Sequence, residues 1–581
     1  MLERDRMRVV VEWNIASSIE INCEEMMSKT TQFPHIWFSQ SGIYQQLLGA
    51  PMHSQFPDTH LLNKRSSLKL IAGGFLSTSA VLMACGGGSS GTSTSTATGT
   101  STVPTTTPGT TGGTAYNTLW IPQLLSGTTA AGVTTYELVL AASSVQFQTG
   151  AKTATYGYNG NDFWGPTLVM KKGSQARMQV KNTLSEDTTT HWHGMLVPGP
   201  VDGGPHQIVA AGATWLTETF TVKNNAATYW YHPHMHEMTQ KQLTLGAGGF
   251  IIVQDDAEAA LNLPRTYGAD DIPLILTSRR FTTTNGVANQ FQYTLTAYGD
   301  YMLTNGVMDA QVTLPKQLVR LRILNGEIER DYNLGFGDGR TFYVIGNDGG
   351  LLSSPVGVTR LVMAPGERYE ILVNLSGDAV GSAIDLKSYN GADAGLSFGF
   401  AGLEPATAGE FGSLLNNKTF NILRINVTAA TANAVTAVPT TLVSNTFPAA
   451  ADATQSRTLA ITATGPGAPF TFNNVGFSMT TINQTVALGA TETWTINGGN
   501  IFGHSFHIHG VQCKMMSRNG SSGAVKAYES GWKDTFFVPL NETVTFVAKF
   551  EDVADSKFPY MYHCHMVNHE DAGLMGQFVV Q

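Results

Sequence analysis

Twelve of the fifteen histidines in this chain fall into four short windows. His191-Trp192-His193 opens the first, which extends to His206, and His232-Pro233-His234 opens the second, which extends to His236. The third is His504-Ser505-Phe506-His507-Ile508-His509, and the fourth is His563-Cys564-His565-Met566-Val567-Asn568-His569. No histidine lies between His236 and His504. A single His-X-His pair arises by chance or in a zinc site, but packing alone does not gather imidazoles in this way. On a strand, residues i and i+2 project from one face, so each His-X-His can present two imidazoles to one centre. Four such pairs exceed the four ligands of a tetrahedral zinc and suit a cluster of several metals.

The fourth window adds a thiol. Cys564 lies between His563 and His565 and must point to the opposite face of their strand. A thiolate with two further imidazoles is the ligand set of a blue copper site, and His504 and His569 are the unpaired imidazoles left to supply it. One strand would then serve a mononuclear copper on one face and a cluster on the other, joined by a short covalent path. His206 and His236 are read as merely exposed, the alternative being a place behind the ligands.

The elements that must position these groups read as strands. The runs 136–140, 175–180, 318–324 and 369–373 fit half-buried strands, punctuated at short intervals by Gly, Asn, Asp and Pro. Segments of helical period are scarce. With 61 glycines and only 13% charged residues, the composition suits an all-β exported protein. A net charge of -9 without a basic run in the globular part argues against nucleic-acid binding. About 465 residues follow residue 116, room for three sandwiches of roughly 150 each. The expected divisions are 117–262, 263–435 and 436–581, with an Ala/Thr-rich linker across 427–441.

Upstream, Lys64-Arg65-Ser66-Ser67-Leu68-Lys69 precedes an apolar stretch, Leu70 to Ala84, too short for a comfortable membrane span. It reads as the core of an export signal, with weak similarity to a twin-arginine signal. Leu82-Met83-Ala84-Cys85 resembles a bacterial lipoprotein box, making Cys85 the expected lipid anchor; an ordinary signal peptide cut nearby is the alternative. Residues 1–84 are therefore set apart from the fold, with Met52 a candidate start. The Gly/Ser/Thr/Ala/Pro-rich segment from Gly86 to Thr114 reads as a flexible tether, so 85–116 would hold the globular part off a bacterial envelope membrane or place it in the periplasm. Cys513, in an apolar run, reads as a buried strand thiol, and Cys23 lies upstream of the signal.

In order and spacing, the four windows match the copper motifs of the multicopper oxidase family. Gly157-Tyr158-Asn159-Gly160, Gly165-Pro166-Thr167, Val201-Asp202-Gly203-Gly204-Pro205, Leu303-Thr304-Asn305-Gly306, Val344-Ile345-Gly346-Asn347-Asp348-Gly349-Gly350, Gly366-Glu367-Arg368-Tyr369-Glu370 and Gly531-Trp532-Lys533-Asp534-Thr535 extend the resemblance to its bacterial laccase-like and cuprous-oxidase branch, over nearly all of 117–581. The resemblance implies three cupredoxin-like Greek-key β-sandwich domains and four coppers. His504, Cys564 and His569 would hold the type 1 copper; His191 and His507 the type 2; His193, His232, His234, His509, His563 and His565 the type 3 pair. Asp202 and Glu570 occupy positions of proton-relay carboxylates in similar enzymes, the alternative for each being a solvated turn or strand-end carboxylate.

Electrons would come from a small-molecule reductant, phenols or aromatic amines, and pass to O2, which becomes water. Oxidation of Cu(I) is the alternative, weakened because 390–480 carries no Met-rich run and Phe477-Ser478-Met479 has Ser where those relatives would carry Asp. A non-catalytic copper-binding lipoprotein is a further reading. The chain is expected to act as a monomer. Many bacterial relatives place an axial Met ten residues after the Cys; here that position is Leu574, with Met575 next, so either a high-potential site lacking a thioether or ligation by Met575 follows.

Overall fold

A computed structural model of the chain describes residues 115–294, 298–391, 400–404, 411–463, 470–499 and 501–581. The export signal, Cys23, Cys85 and the tether lie outside the described residues.

The described chain forms three β-sandwiches. In the first, the long strand Val133–Val145 pairs with Thr153–Tyr158 and, in parallel, with Gln175–Asn182. The facing sheet runs Leu124–Leu125, Thr167–Lys171, Gly249–Gln254, Ala227–His232, His191–His193, which puts the first His-X-His on the sheet's outermost strand. Leu138, Leu140, Met178 and Val180 from one sheet meet Leu168, Tyr229, Tyr231 and Ile251 from the other in a single core.

The middle sandwich pairs a seven-stranded sheet containing Asp271–Arg279, Leu318–Asn325 and Arg368–Asn374 with a six-stranded sheet. The two-residue strand Asn117–Thr118 joins this second sheet, beside Ala310–Pro315, before the chain enters the first sandwich. The last sandwich sets Gln455–Thr462, Thr491–Asn497, Thr543–Lys549 and Cys513–Arg518 against a five-stranded sheet. That second sheet runs Gln484–Val486, Met575–Val580, Tyr560–Cys564, His504–Ile508, Thr535–Val538, so the third and fourth histidine windows are neighbours. Trp494 and Phe546 of one sheet pack with Phe506, Tyr562 and Phe578 of the other. Cys513 is buried here, as its apolar run predicts.

The expectation of half-buried strands holds for Val133–Val145 and Gln175–Asn182, whose exposure alternates. It fails for Leu318–Asn325, all of whose residues are buried, and for Arg368–Asn374, buried up to its last residue. The charged face of these strands is covered by ion pairs rather than water. Glu370 Oε1 accepts from Arg322 Nη1 at 2.8 Å and from Thr228 Oγ1 at 2.7 Å, while Arg320 Nε donates to its Oε2 at 3.0 Å. Asp271 takes the other edge of Arg322, at 2.8 Å.

Helices are few and short. Gly199–Asp202 ends at Gly203, whose φ of 80° and whose approach to Thr190 O, 1.8 Å from an added Cβ, leave room for glycine alone. Val567–Asp571 carries His569 and Glu570. Among the described residues no helix is long and apolar enough to cross a membrane.

Candidate metal centres

Strand register builds two centres from the four windows. His507 lies directly opposite His563, and Phe506 opposite Cys564. Side chains opposed in an antiparallel pair share a face. His507 and His563 therefore project together, while Cys564 projects the other way, into the last sandwich. In the first sandwich His232 lies opposite His191. The last two strands of one sheet and the central strands of another, with the residues just beyond their ends, thus bring eight imidazoles together.

On the cysteine side, Cys564 Sγ lies 3.6 Å from His504 Nδ1 and 3.6 Å from His569 Nδ1. All three are buried. Burial pushes the Cys564 thiol up and holds His569 down to about 3, so without a metal the thiol stays protonated and the imidazole neutral. Leu574 is fully buried in the same core as Cys564 and its carbonyl accepts from Cys564 N at 3.1 Å. Met575 pairs across the sheet with His563, on the face opposite to Cys564. Around His569 stand Phe470, with ring centroids 4.3 Å apart, and Phe502, at 6.0 Å. Glu329 Oε1 lies 3.8 Å from His569 Nε2.

On the other face most outward ring nitrogens are occupied, and several inward ones are not. His191 Nδ1 donates to Asp202 O at 2.9 Å and His507 Nδ1 to Asp534 O at 2.8 Å, leaving both Nε2 atoms buried without a partner. His232 Nδ1 donates to Pro233 O at 2.8 Å, and its Nε2 faces His193 Nδ1 at 3.4 Å. His565 lies beside both, with centroids 4.9 and 5.2 Å away, and neither of its ring nitrogens has a partner. His563 Nε2 lies 3.1 Å from His234 Nε2 and 3.3 Å from His509 Nε2.

Behind this last trio sit the two carboxylates singled out by the sequence. His509 Nδ1 donates to Asp202 Oδ2 at 2.8 Å. Glu570 lies with one oxygen 3.1 Å from His234 Nδ1 and the other 3.1 Å from His563 Nδ1, and accepts from Thr239 Oγ1 at 2.8 Å. Neither is the solvated carboxylate that sequence left open as an alternative: each is 1% exposed.

This arrangement fits metal ions and little else. Once the outward nitrogens carry the ring protons, the inward ones are lone pairs set against lone pairs at 3.1 to 3.4 Å, a repulsive arrangement unless cations lie between them. Burial holds His193, His232, His234, His504, His509 and His565 well below the usual imidazole range and His507 at about 4, so they are neutral and ready to ligate. Imidazoles with a single thiolate are donors that copper takes readily. The other two histidines are structural: His206 Nε2 bonds Gln577 Oε1 at 2.8 Å and His236 packs edge-on against Phe477 at 4.9 Å.

Sequence reasoning missed three contacts. Asp534 Oδ1 accepts from His193 Nε2 at 3.1 Å, and Arg368 grips the same carboxylate. Asp571, beside Glu570, caps the helix Thr239–Thr244 and is pushed up to about 8 by burial and by Glu570. Glu329 comes from a loop of the middle sandwich. Asp534 and Arg368 stand in segments that carry the family resemblance, but nothing in their spacing marks them as touching the site.

Comparison with known proteins gives the family. Models of multicopper oxidase domains match residues 140–258 and 450–581. A multicopper oxidase of Staphylococcus haemolyticus is 32% identical over 460 residues, 77% of this chain and 89% of that protein. A cell division protein, FtsP, of Xenorhabdus nematophila is 32% identical over 74% of this chain and 85% of its own length. Among solved structures, a bacterial laccase-like multicopper oxidase from an Ochrobactrum species superposes with a TM-score of 0.68 at 32% identity, covering 80% of this chain and all of its own. The McoA oxidase of Aquifex aeolicus gives 0.69 at 27% identity, with the same coverage. Likeness of this extent means that the chain belongs to the multicopper oxidase family.

Proposed function

We propose that this protein is a laccase-like oxidase: it takes electrons singly from phenols or aromatic amines at the Cys564 centre and delivers them to dioxygen, which leaves as water. The observation that carries this reading is the convergence of ten imidazoles and one thiol on two buried centres joined through a single strand. His504, Cys564 and His569 would hold the type 1 copper, His191 and His507 the type 2, and His193, His232, His565 with His234, His509, His563 the type 3 pair. When bound, four coppers that each store one electron would together hold the four electrons that reducing dioxygen to two waters takes.

The chain's own residues supply the rest. His569 offers its Nε2 edge to the reductant, and Phe470 and Phe502 beside it favour a flat aromatic partner. Cys564 is bonded in sequence to His563 and His565, so its electron has a covalent route to the other face of the strand. Asp202 Oδ1, buried and without a hydrogen-bond partner, is a ready acceptor for a proton entering the cluster. Glu570, between His234 and His563, is a second holder, with Asp571 next to it toward the surface. The stretch Phe477-Ser478-Met479 is used in packing, Phe477 against His236 and Ser478 O by Gln577 Nε2 at 3.0 Å, which gives no support to a cuprous-ion site there. From sequence we place the protein, as a monomer, in a bacterial envelope and tethered through Cys85.

Oxygen uptake measured in parallel with a phenolic dye and with Cu(I) tests the reading. Uptake with the dye and colour in the resting protein are expected. Uptake with Cu(I) alone would make the protein a cuprous oxidase, and copper binding without uptake would make it a copper carrier.

A further inference from the structure

The middle sandwich contributes no histidine, yet one of its turns reaches the imidazole cluster. Gly366, with φ of 84°, packs so tightly on His565 that an added Cβ would fall 2.7 Å from the ring. Two residues on, Arg368 grips Asp534 of the last sandwich in a fork: Nη1 to Oδ1 and Nη2 to Oδ2, each at 2.6 Å. The remaining guanidinium donors are also used, Nε on Thr228 O at 3.2 Å, Nη1 on Gly366 O at 3.0 Å and Nη2 on Asp348 O at 2.9 Å. All five donors of the group are thus satisfied in a site 0 to 1% exposed.

Asp534 in turn touches two ligand imidazoles by different atoms. Its Oδ1 accepts from His193 Nε2 at 3.1 Å, and its backbone carbonyl accepts from His507 Nδ1 at 2.8 Å. The two rings stack at 3.7 Å. We propose that Asp534, held by the Arg368 fork, is the positioning residue that fixes opposite tautomers in these stacked rings, leaving Nδ1 of His193 and Nε2 of His507 as the lone pairs that would face a metal. Asp534 itself is not a ligand, although it stands within ligand distance of both rings.

The carboxylate cannot be replaced by an amide. Oδ1 also accepts from Thr535 Oγ1 at 2.9 Å, and Oδ2 accepts from Gln512 Nε2 at 2.8 Å. Donors face both oxygens, so an asparagine in either orientation sets a donor against a donor. Turned toward His193, its NH2 group would favour the proton on Nδ1 and occupy the nitrogen that must ligate. Burial opposes ionisation of Asp534, but Arg368 overrides it and holds the carboxylate well below its ordinary range.

The inference rests on the copper reading above, and its test separates the two. In the full, copper-free wild-type chain with nitrogen-15 histidine, imidazole nitrogen resonances assigned through His193→Gln and His507→Gln should show His193 protonated at Nε2 and His507 at Nδ1. The opposite tautomer at His193 overturns the proposal whether or not the protein binds copper. After copper loading, Asp534→Asn should weaken binding at the imidazole cluster by about ten- to hundredfold, and keep the blue colour of the Cys564 centre. Its electron paramagnetic resonance should report altered coupling at the mononuclear imidazole copper. Arg368→Lys, which keeps the charge but loses the fork, should fall between wild type and Asp534→Asn. Full copper content with unchanged resonance in Asp534→Asn would overturn the proposal. Should that variant not fold, Arg368→Lys and the wild-type tautomers decide it. A wild-type chain with the stated tautomers and no cluster copper would refute the copper reading alone.

Discussion

His563 and Cys564 are consecutive residues whose side chains face different candidate metal centres: His563 faces His507 across the sheet, while Cys564, opposite Phe506, turns into the last sandwich toward His504 and His569. The two centres share a backbone but no side chain, so they can be taken apart by mutation. Cys564→Ser should remove the blue colour and one copper, leave the imidazole cluster loaded, and lower oxidation of aromatic reductants by well over about a hundredfold. In the copper-free protein, burial keeps the thiol protonated, so alkylation of Cys564 should be slow at pH 8. Spectroscopy and copper analysis check the first expectation, and loss of cluster copper together with the colour would contradict the separation.

Asp202 tests the other centre. Its carboxylate holds His509 and its carbonyl holds His191, so it orients two imidazoles while leaving Oδ1 open. Asp202→Ala should leave anaerobic bleaching of the blue colour by a phenol at the wild-type rate and slow its return in oxygen by about ten- to a hundredfold. Stopped-flow measurement of both halves is decisive: if bleaching and return are both unchanged, Asp202 has no part in oxygen turnover.

The sequence shows the metal centres far better than what surrounds them. Ligands borne by strands must recur at i and i+2 to meet one centre, and His191-Trp192-His193 or His563-Cys564-His565 carry that geometry in the chain itself. No such periodicity links His193 to Asp534, which is 341 residues away and brought in only by the docking of separate sandwiches. The same limit explains Leu318–Asn325. Arg320 and Arg322 alternate with apolar residues and so predict a solvated face, but Glu370, Asp271 and Glu258 cover that face from other segments. Alternation reports which residues share a face, and only tertiary structure decides whether water or a counter-charge meets it.

We expect Leu574, rather than Met575, to set the potential of a copper held by the Cys564 centre. Met575 lies across from His563, on the cluster face, so its sulfur is directed away from Cys564, whereas Leu574 lies in the core with it. An alkyl group in the axial place gives Cu(II) no extra donor and favours Cu(I). Leu574→Met should therefore lower the potential by on the order of 60 mV, the equivalent of a tenfold shift in a one-electron equilibrium. Redox titration followed at the blue band measures it, with Met575→Leu as the control expected to change nothing. A rise in potential on Met575→Leu would move the axial role to Met575.

The buried charges of the middle sandwich set an acid limit on stability. Burial alone would raise Glu370, but Arg320 and Arg322 reverse the effect and hold it down to about 2, below an ordinary 4.5. Because the folded value is the lower one, the unfolded chain takes up the proton first as the pH falls. The stabilisation is complete above pH 4.5 and is lost between 4.5 and 2, about 3 kcal/mol over that interval. Glu370→Gln removes the proton uptake and leaves two arginines half-paired, so at pH 7 it should destabilise the protein by about 3–5 kcal/mol. Its urea midpoint should then vary less than that of wild type below pH 4.5. Both chains are compared copper-free, so that metal loss does not contribute. Parallel decline of the two midpoints would mean that Glu370 is not the group that titrates.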